Sequence, residues 1–495
     1  MMPLRGGETI PLTGITHLRV LRGSVTVLGT VMKPSTHIQR VVAIPHLASL
    51  PVLEVDASDE IPLFGEFSQP SYIDDSAFEG FECVVCVNPR LAPPAEDIPT
   101  ITISQQWRSV ARIFALDVCT KYPDPAVIIF GPKGSGKSTF CRYLVNTCLS
   151  NSSQVCLLDV DVGQPEISPP GLVSLHLLTT PLLSLPHSPD PQHQCISRCF
   201  FGHTTPNGDP VAYMHAIEQV LASAPRGIPL IVNCHGWMQG VGELTCQALL
   251  ALVKPQLAVK LGKEGETGEF FSHLENNGLS KSRVVDGVVY THLVGHSPSE
   301  AASRISVSQA DLRWLRTTCY FNPSLQLATS WQASRPRDFF PHCEKMILND
   351  PRIIFTDCTR PSDDLLHAAL AFCLVGLCSG NNCVGLGVVA SYDRSVLTIY
   401  VPAGSNWVVD TVMRSSGLNW FPQECAFFES SGSLVKTATC RIEEPFNLSR
   451  VLGGESGRNP KNRTNLGRKR LTWKFLSFKL PKTCLRLDSA PRRIG

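Results

Sequence analysis

From Ile15 to about Val87, apolar and polar residues alternate in short runs separated by turn residues, as in Leu18-Arg19-Val20-Leu21, Ser24 to Thr30, and Val41 to Ile44. A period of two with Gly and Pro punctuation predicts half-buried strands of a small β-sandwich or barrel. A polar, Pro-containing bridge near Ala92 to Pro99 closes it. The pattern then changes. Ala126-Val127-Ile128-Ile129-Phe130 is continuously apolar up to Gly131, the signature of a strand covered on both faces. Phe140, Leu144, Val145 and Cys148 follow at helical spacing, then the apolar run Val155 to Leu158, the helical segment Val211 to Ala224, and the run Pro229 to Asn233. Strands alternating with helices predict an α/β domain with a doubly wound, mostly parallel sheet, running to about Pro323. Beyond it, Ile353 to Pro402 mixes a Leu/Ala-rich helical piece with the strand-like runs Val384 to Val389 and Val396 to Val401. The expected layout is a β-sandwich-like domain at 1–118, the α/β domain at 119–330, a smaller mixed α/β domain at 331–450, and a tail at 451–495.

Composition narrows the class. A chain of 495 residues, 43% hydrophobic and 17% charged, is a folded protein too long for one core. A net charge of +2 leaves any nucleic-acid contact to local patches. No run is long enough for a membrane helix, and Met1 to Leu12 lacks the apolar centre of a secretory signal. The 19 cysteines are scattered through apolar runs. The pair Cys83 and Cys86 has no second ligand pair in register, so free thiols in a reducing compartment are expected. From Val451 onward about twelve Lys and Arg face two acids, Glu455 and Asp488, which predicts a basic, disordered tail.

Gly131-Pro132-Lys133-Gly134-Ser135-Gly136-Lys137-Ser138 fits GxxxxGK[ST] between a buried strand and an amphipathic helix, so a chance Gly-rich turn is a poor alternative. The glycines let backbone N–H groups close around phosphates, and the helix start adds its positive dipole end. Lys137 is expected on the β- and γ-phosphates of ATP and Ser138 on magnesium, with Thr139 beside it. Asp159 and Asp161 follow the next apolar run, at the carboxyl strand ends where open α/β sheets bind ligands. Two residues apart on a strand, they are expected to point the same way. One would take a proton or hold the magnesium shell while the other orients it.

Asp161-Val162-Gly163-Gln164-Pro165-Glu166, followed by Pro169-Pro170-Gly171, resembles the polynucleotide 5′-hydroxyl kinases, and most of all their nucleolar, pre-ribosomal-RNA-processing branch. Thr205-Pro206-Asn207 is similar to that family's TxN clasp, and Asn233 to Gly240 to its Asn-Thr-x-Gly-Trp segment. Asp311-Leu312-Arg313-Trp314-Leu315-Arg316 is similar to its arginine-bearing lid. The resemblance implies a P-loop kinase with Asp161 as general base on an RNA 5′-hydroxyl and as a magnesium ligand. Gln164 would position the acceptor end, Thr205 and Asn207 would hold the first nucleotides, and Trp237 would stack on the terminal base. Arg313 and Arg316, on one helix face, would neutralise charge on the transferring phosphoryl group, with Arg304 a competitor. It further implies ATP and Mg2+, and a place in maturation of the pre-rRNA internal transcribed spacer within large-subunit biogenesis, in the nucleus and nucleolus. The implied partners are RNA with a 5′-hydroxyl end, a pre-rRNA-processing endoribonuclease and associated ribosome-biogenesis factors; no membrane is implied. Three alternatives stand beside it: a non-catalytic ATP-binding assembly factor of a nuclease complex, an RNA kinase of the tRNA-splicing and mRNA 3′-end type, and a P-loop NTPase that hydrolyses its nucleotide.

Overall fold

The run Ala126–Phe130 forms a strand with every side chain buried, and it sends alternate residues into two different cores. Val127 and Ile129 enter one cluster, Ile128 and Phe130 the other, as the two-residue period of a strand requires. This is a computed structural model, and it describes residues 2–35, 37–43, 50–55, 83–88, 100–184, 193–262, 283–285, 287–294, 309–322, 343–357, 359–371, 373–393 and 395–418. The bridge at 92–99, Arg304 and the tail at 451–495 lie outside these residues.

The central sheet has eight strands, numbered here in chain order: β1 (Ala126–Phe130), β2 (Val155–Asp159), β3 (Leu172–Leu178), β4 (Gln194–Phe200), β5 (Leu230–Asn233), β6 (Leu257–Gly262), β7 (Arg283–Val285) and β8 (Val288–Val294). Their spatial order is β4-β3-β2-β5-β1-β6-β8-β7. The inner run β2-β5-β1-β6-β8 is parallel, and antiparallel strands close both edges. Helices α1 (Lys137–Leu149), α2 (Pro210–Leu221) and α3 (Val241–Val253) connect or flank the parallel strands, and α4 (Gln309–Phe321) follows. Phe140, Leu144, Val145 and Cys148 are all buried on α1, the apolar stripe that the spacing predicts. The architecture is a P-loop kinase-like fold with mixed α/β sheets.

The amino-terminal segment forms two four-stranded antiparallel sheets. One has the order Met2–Leu4, Cys83–Asn88, Gly14–Arg22, Gln39–Ala43; the other Thr9–Pro11, Val52–Val55, Val25–Val27, Thr30–Met32. Their buried residues merge with α1 and one face of the central sheet in a single cluster that includes Leu18, Val27, Trp107, Phe140 and Val259. Trp107 meets Phe140 edge-on at 5.1 Å between centroids. The buried amide of Asn146 ties the pieces by donating to Leu28 O (2.8 Å) and accepting from Leu182 N (2.7 Å). Cys83 is buried and Cys86 exposed, because positions three apart on a strand face opposite ways.

Residues 343–414 form a six-stranded sheet in the order Cys343–Asn349, Val396–Pro402, Asn382–Asp393, Leu374–Ser379, Thr411–Arg414, Arg352–Phe355, with a helix at Asp363–Leu370. Edge strand β4 packs on it: Arg198 Nη2 donates to Val384 O (2.7 Å), and the Arg198 amide donates to Asn382 Oδ1 (2.9 Å).

Candidate active site

The turn after β1 is closed by a carbonyl and a hydroxyl. A Cβ on Gly131, at φ +151°, would overlap the Leu261 carbonyl and crowd the Ser135 hydroxyl, so only glycine lets the loop pass this close to β6. Lys137 begins α1 and is buried, with its ammonium donating to Pro132 O at 3.0 Å. Burial holds that amine below the ordinary lysine range, opposed by the nearby Asp161 carboxylate. The Ser135 hydroxyl is buried in the same turn with no hydrogen-bond partner among the described residues. An orphaned buried hydroxyl is costly, and an oxygen-rich group seated in the cradle would satisfy it.

The two acids part company. β2 ends at Asp159, and Asp161 lies past it in a turn, so the expectation that they point the same way along a strand does not hold. The Val160 amide still donates to Asn233 O of β5 (3.0 Å), and the chain turns just after it, where the Val162 amide donates to Val160 O (3.1 Å). Asp159 is fully buried. Its Oδ1 accepts from Asn233 Nδ2 (3.1 Å) and the Asp161 amide (3.2 Å), and its Oδ2 accepts from the Glu166 amide. Burial pushes this carboxyl up to about 8. Asp159 therefore braces the loop and has no face toward solvent. Asp161 is half-buried; its Oδ1 accepts from the Gly163 and Gln164 amides (3.1 and 3.0 Å). Its Oδ2 takes no hydrogen bond among the described residues. Gln164 Nε2, three residues on, is buried and has no hydrogen-bond partner among the described residues.

Two arginines that the sequence leaves equal differ in surroundings. Arg316 of α4 has its Nη1 buried without a hydrogen-bond partner among the described residues. Burial holds its guanidinium below the usual arginine value, opposed by Glu166 and Asp161. Arg313 is half-exposed on the same helix. Glu166 itself is buried in an ion pair with Arg142 of α1. Sequence reading passed over this pair, since a Glu and an Arg 24 positions apart carry no local signal.

On the other side of β1, the loop after β5 packs on the cradle: the Cα of Gly236 lies so near Lys133 that a Cβ would be 3.1 Å from the Lys133 backbone. His235 organises this loop. Its Nδ1 accepts from the Trp237 amide (3.1 Å), so its Nε2 carries the hydrogen and donates to Thr245 Oγ1 (3.0 Å); that hydroxyl donates to Gly242 O (2.7 Å). Burial pushes the His235 ring down to about 4. The half-buried Trp237 indole lies against the bare Cα of Gly242 at the start of α3. Thr205 and Asn207 are exposed on a short 3-10 turn, where Thr205 Oγ1 accepts from the Asn207 amide (3.5 Å). That turn meets the Asp161 loop, since a Cβ on Gly163 would stand 2.7 Å from Thr204 O.

A phosphate cradle, a carboxylate with one open oxygen, a half-buried indole and an exposed polar turn thus share the carboxyl-end rim of one sheet. The family model described as mRNA cleavage and polyadenylation factor CLP1 P-loop matches residues 131–305. The chain is 27% identical over 361 residues to the polynucleotide 5′-hydroxyl-kinase GRC3 of Gibberella zeae, covering 64% of this chain and 47% of that protein. Over about two thirds of its length the chain is thus similar to a polynucleotide 5′-hydroxyl-kinase. A second relative, the polynucleotide 5′-hydroxyl-kinase grc3 of Neosartorya fischeri, is 28% identical over 452 residues, 78% of this chain and 51% of the relative. The chain therefore spans about half the length of these curated relatives. Among solved structures it is similar to that of the wild-type Clp1p–Pcf11p complex, with a TM-score of 0.53 and 13% identity over 84% of this chain and 96% of that one. At that identity the likeness is one of fold. The family match contains the cradle, Asp161, Gln164, Thr205, Asn207 and Trp237, while Arg313 and Arg316 fall beyond it.

Proposed function

We propose that this chain transfers the γ-phosphate of ATP to the 5′-hydroxyl end of RNA, and of DNA where it meets one. The observation that carries the reading is the pairing of Lys137, at the mouth of the cradle, with Asp161, whose Oδ2 stays open while its Oδ1 is held by two amides. A nucleotide-binding assembly factor would need the lysine and not the open carboxylate.

Gly131, Pro132, Lys133, Gly134, Ser135 and Gly136 would wrap the phosphates, with Ser138 and Thr139 opening the helix behind them. Lys137 would neutralise the β- and γ-phosphates. Asp161 Oδ2 would accept the proton of the 5′-hydroxyl as its oxygen bonds to the γ-phosphorus and the bond to the β-phosphate breaks, releasing ADP. Magnesium fits the donor set, because Ser138 and Asp161 offer hard oxygens and no three His, Cys, Asp or Glu converge among the described residues. It would be shared with phosphates and water, and would supply charge neutralisation. Arg316, whose buried Nη1 has no hydrogen-bond partner among the described residues and which has two acids nearby, would meet the transferring group in preference to Arg313. Gln164 would orient the acceptor end, Thr205 and Asn207 hold the first nucleotides, and Trp237 stack on the terminal base.

The kinase core at 119–330 would work between a sandwich-like domain at 1–118 and a mixed domain at 331–450, with 451–495 as a basic tail. The setting in this reading is pre-rRNA spacer processing in the nucleolus, with an endoribonuclease supplying 5′-hydroxyl ends. The test incubates the protein with γ-labelled ATP, magnesium and 5′-hydroxyl RNA or DNA oligonucleotides. Label on the oligonucleotide, lost in Lys137→Ala, is the expected result. Label released only as free phosphate, or transfer unchanged in Lys137→Ala, overturns the reading.

A further inference from the structure

His203 stands immediately before the turn that carries Thr205 and Asn207, and its ring is held from outside the central domain. A Cβ on Gly208, at the far end of the turn, would stand within 2.5–2.9 Å of the ring, and one on Gly417 would overlap it. The ring is thus slotted between two bare backbones, one from the turn and one from the segment after the carboxyl-terminal sheet. Phe201 closes a third side at 5.1 Å between centroids.

Polar contacts lock the slot. Ser415, fully buried, has its Oγ 3.4 Å from His203 Nε2 and 3.1 Å from Asp357 Oδ2, and accepts from the Gly417 amide at 3.1 Å. A hydroxyl has one hydrogen to give. The Asp357 carboxylate can only accept, so that hydrogen goes to Asp357 and His203 Nε2 donates to Ser415. Asp357 Oδ2 also lies 3.6 Å from His203 Nε2 and accepts from the Ser416 amide and hydroxyl (2.8 and 2.6 Å). Both side chains of the pair are about 15% exposed, at 15% and 14%. Burial works to raise the Asp357 carboxyl, and the Ser416 and Ser415 hydrogen bonds together with His203 outweigh it. One residue earlier, a Cβ on Gly202 would overlap Cβ of Ser415, so the approach is close along the whole segment. The arrangement is unlike a hydrolytic triad, because Ser415 and Asp357 share the same ring nitrogen and the hydroxyl is shut away from solvent.

We infer that His203 is a positioning residue: through Asp357 and Ser415, the carboxyl-terminal sheet sets the place of the Thr205–Asn207 turn against the Asp161 loop, and so the place of the RNA acceptor end. The inference rests on the kinase reading above. It gives the carboxyl-terminal sheet an indirect part in substrate binding.

The experiment compares Asp357→Asn, His203→Ala and His203→Gln with the wild-type chain, each checked by its melting temperature. The Michaelis constants for a 5′-hydroxyl oligonucleotide and for ATP are measured, with backbone hydrogen exchange over residues 203–209 and 131–138. Asp357→Asn and His203→Ala should raise the oligonucleotide constant about tenfold while that for ATP changes less than about twofold. Exchange should quicken at 203–209 and stay unchanged in the cradle. His203→Gln, which keeps a donor at similar reach, should recover part of the loss. Unchanged exchange at 203–209 in Asp357→Asn, or parallel rises in both constants, overturns the inference. A wild-type protein that phosphorylates no oligonucleotide overturns the kinase reading itself, and that result is separate from the exchange of the turn in the variants.

Discussion

Replacing His235 with glutamine should make the protein less sensitive to acid, and the size of the effect follows from the ring's surroundings. An ordinary histidine titrates at 6.5, whereas burial pushes His235 down to about 4. Between those values the unfolded chain binds a proton that the folded one refuses. The contribution is complete above about pH 6.5 and is lost as pH falls toward 4; at pH 5 the loss relative to pH 7 is about 2 kcal/mol. Two other buried groups titrate in the same range. His176, pushed by burial to about 3, acts in the same direction. Asp159, pushed up to about 8, acts in the opposite one, because a carboxyl that prefers its proton when folded weakens the fold as pH rises. The comparison must therefore be between proteins rather than between pH values of one protein. The assay is thermal unfolding of wild type and His235→Gln at pH 7 and pH 5. The fall in melting temperature between the two pH values should be smaller in the variant by about 4–8 °C. Parallel falls in the two proteins would mean that the ring is already charged or solvated. The hydrogen-bond chain from the Trp237 amide through His235 to Thr245 would then be wrongly drawn.

Asp161→Asn should lower turnover by about 10²–10⁴ with little change in ATP affinity. Asp159→Asn should instead lower stability, since one of its oxygens would become a donor facing the amides of Asp161 or Glu166; the reverse pattern in turnover and melting temperature exchanges the two roles. Trp237→Ala should weaken oligonucleotide binding roughly five- to 150-fold and leave ATP binding alone, with Trp237→Phe recovering much of it. A drop in melting temperature without a change in RNA affinity would make Trp237 a packing residue. Gly131→Ala should abolish ATP binding, measured by calorimetry on protein still folded by circular dichroism, because the new methyl group meets the Leu261 carbonyl; retained binding would contradict the cradle's geometry.

The cradle and the buried strands were legible from the sequence because each is a local pattern: a run of apolar residues, a spacing of glycines, a helical stripe through Phe140 and Cys148. What escaped depended on where the chain bends and on what distant residues meet. Period-two reasoning carried β2 two residues too far, so Asp159 and Asp161 looked equivalent; Gly163 and Pro165 were the available signals of the bend. Spacing places Arg313 and Arg316 on one face of α4, and only packing reveals that Arg316 lies in the field of Glu166 and Asp161. His203, His235 and the Arg142–Glu166 pair were silent, since a single histidine or a charge pair 24 residues apart has no pattern of its own. Arg304 and the basic tail lie outside the described residues.

The amide of Asn146, clamped between Leu28 and Leu182, also dictates an order of events on the ribosome. The strands between Met2 and Val55 cannot complete their packing until α1 and the chain near Leu183, which receives the Val42 amide at 3.1 Å, have been synthesised. At about 5–20 residues per second the interval is on the order of 10–30 s. For most of that time Leu18 and Val27 have no helix α1 to cover them. Nascent chains that expose these strands should therefore be clients of holding chaperones. Substitutions among the first fifty residues should act mainly through how much protein accumulates, leaving the activity of each molecule that finishes folding nearly intact.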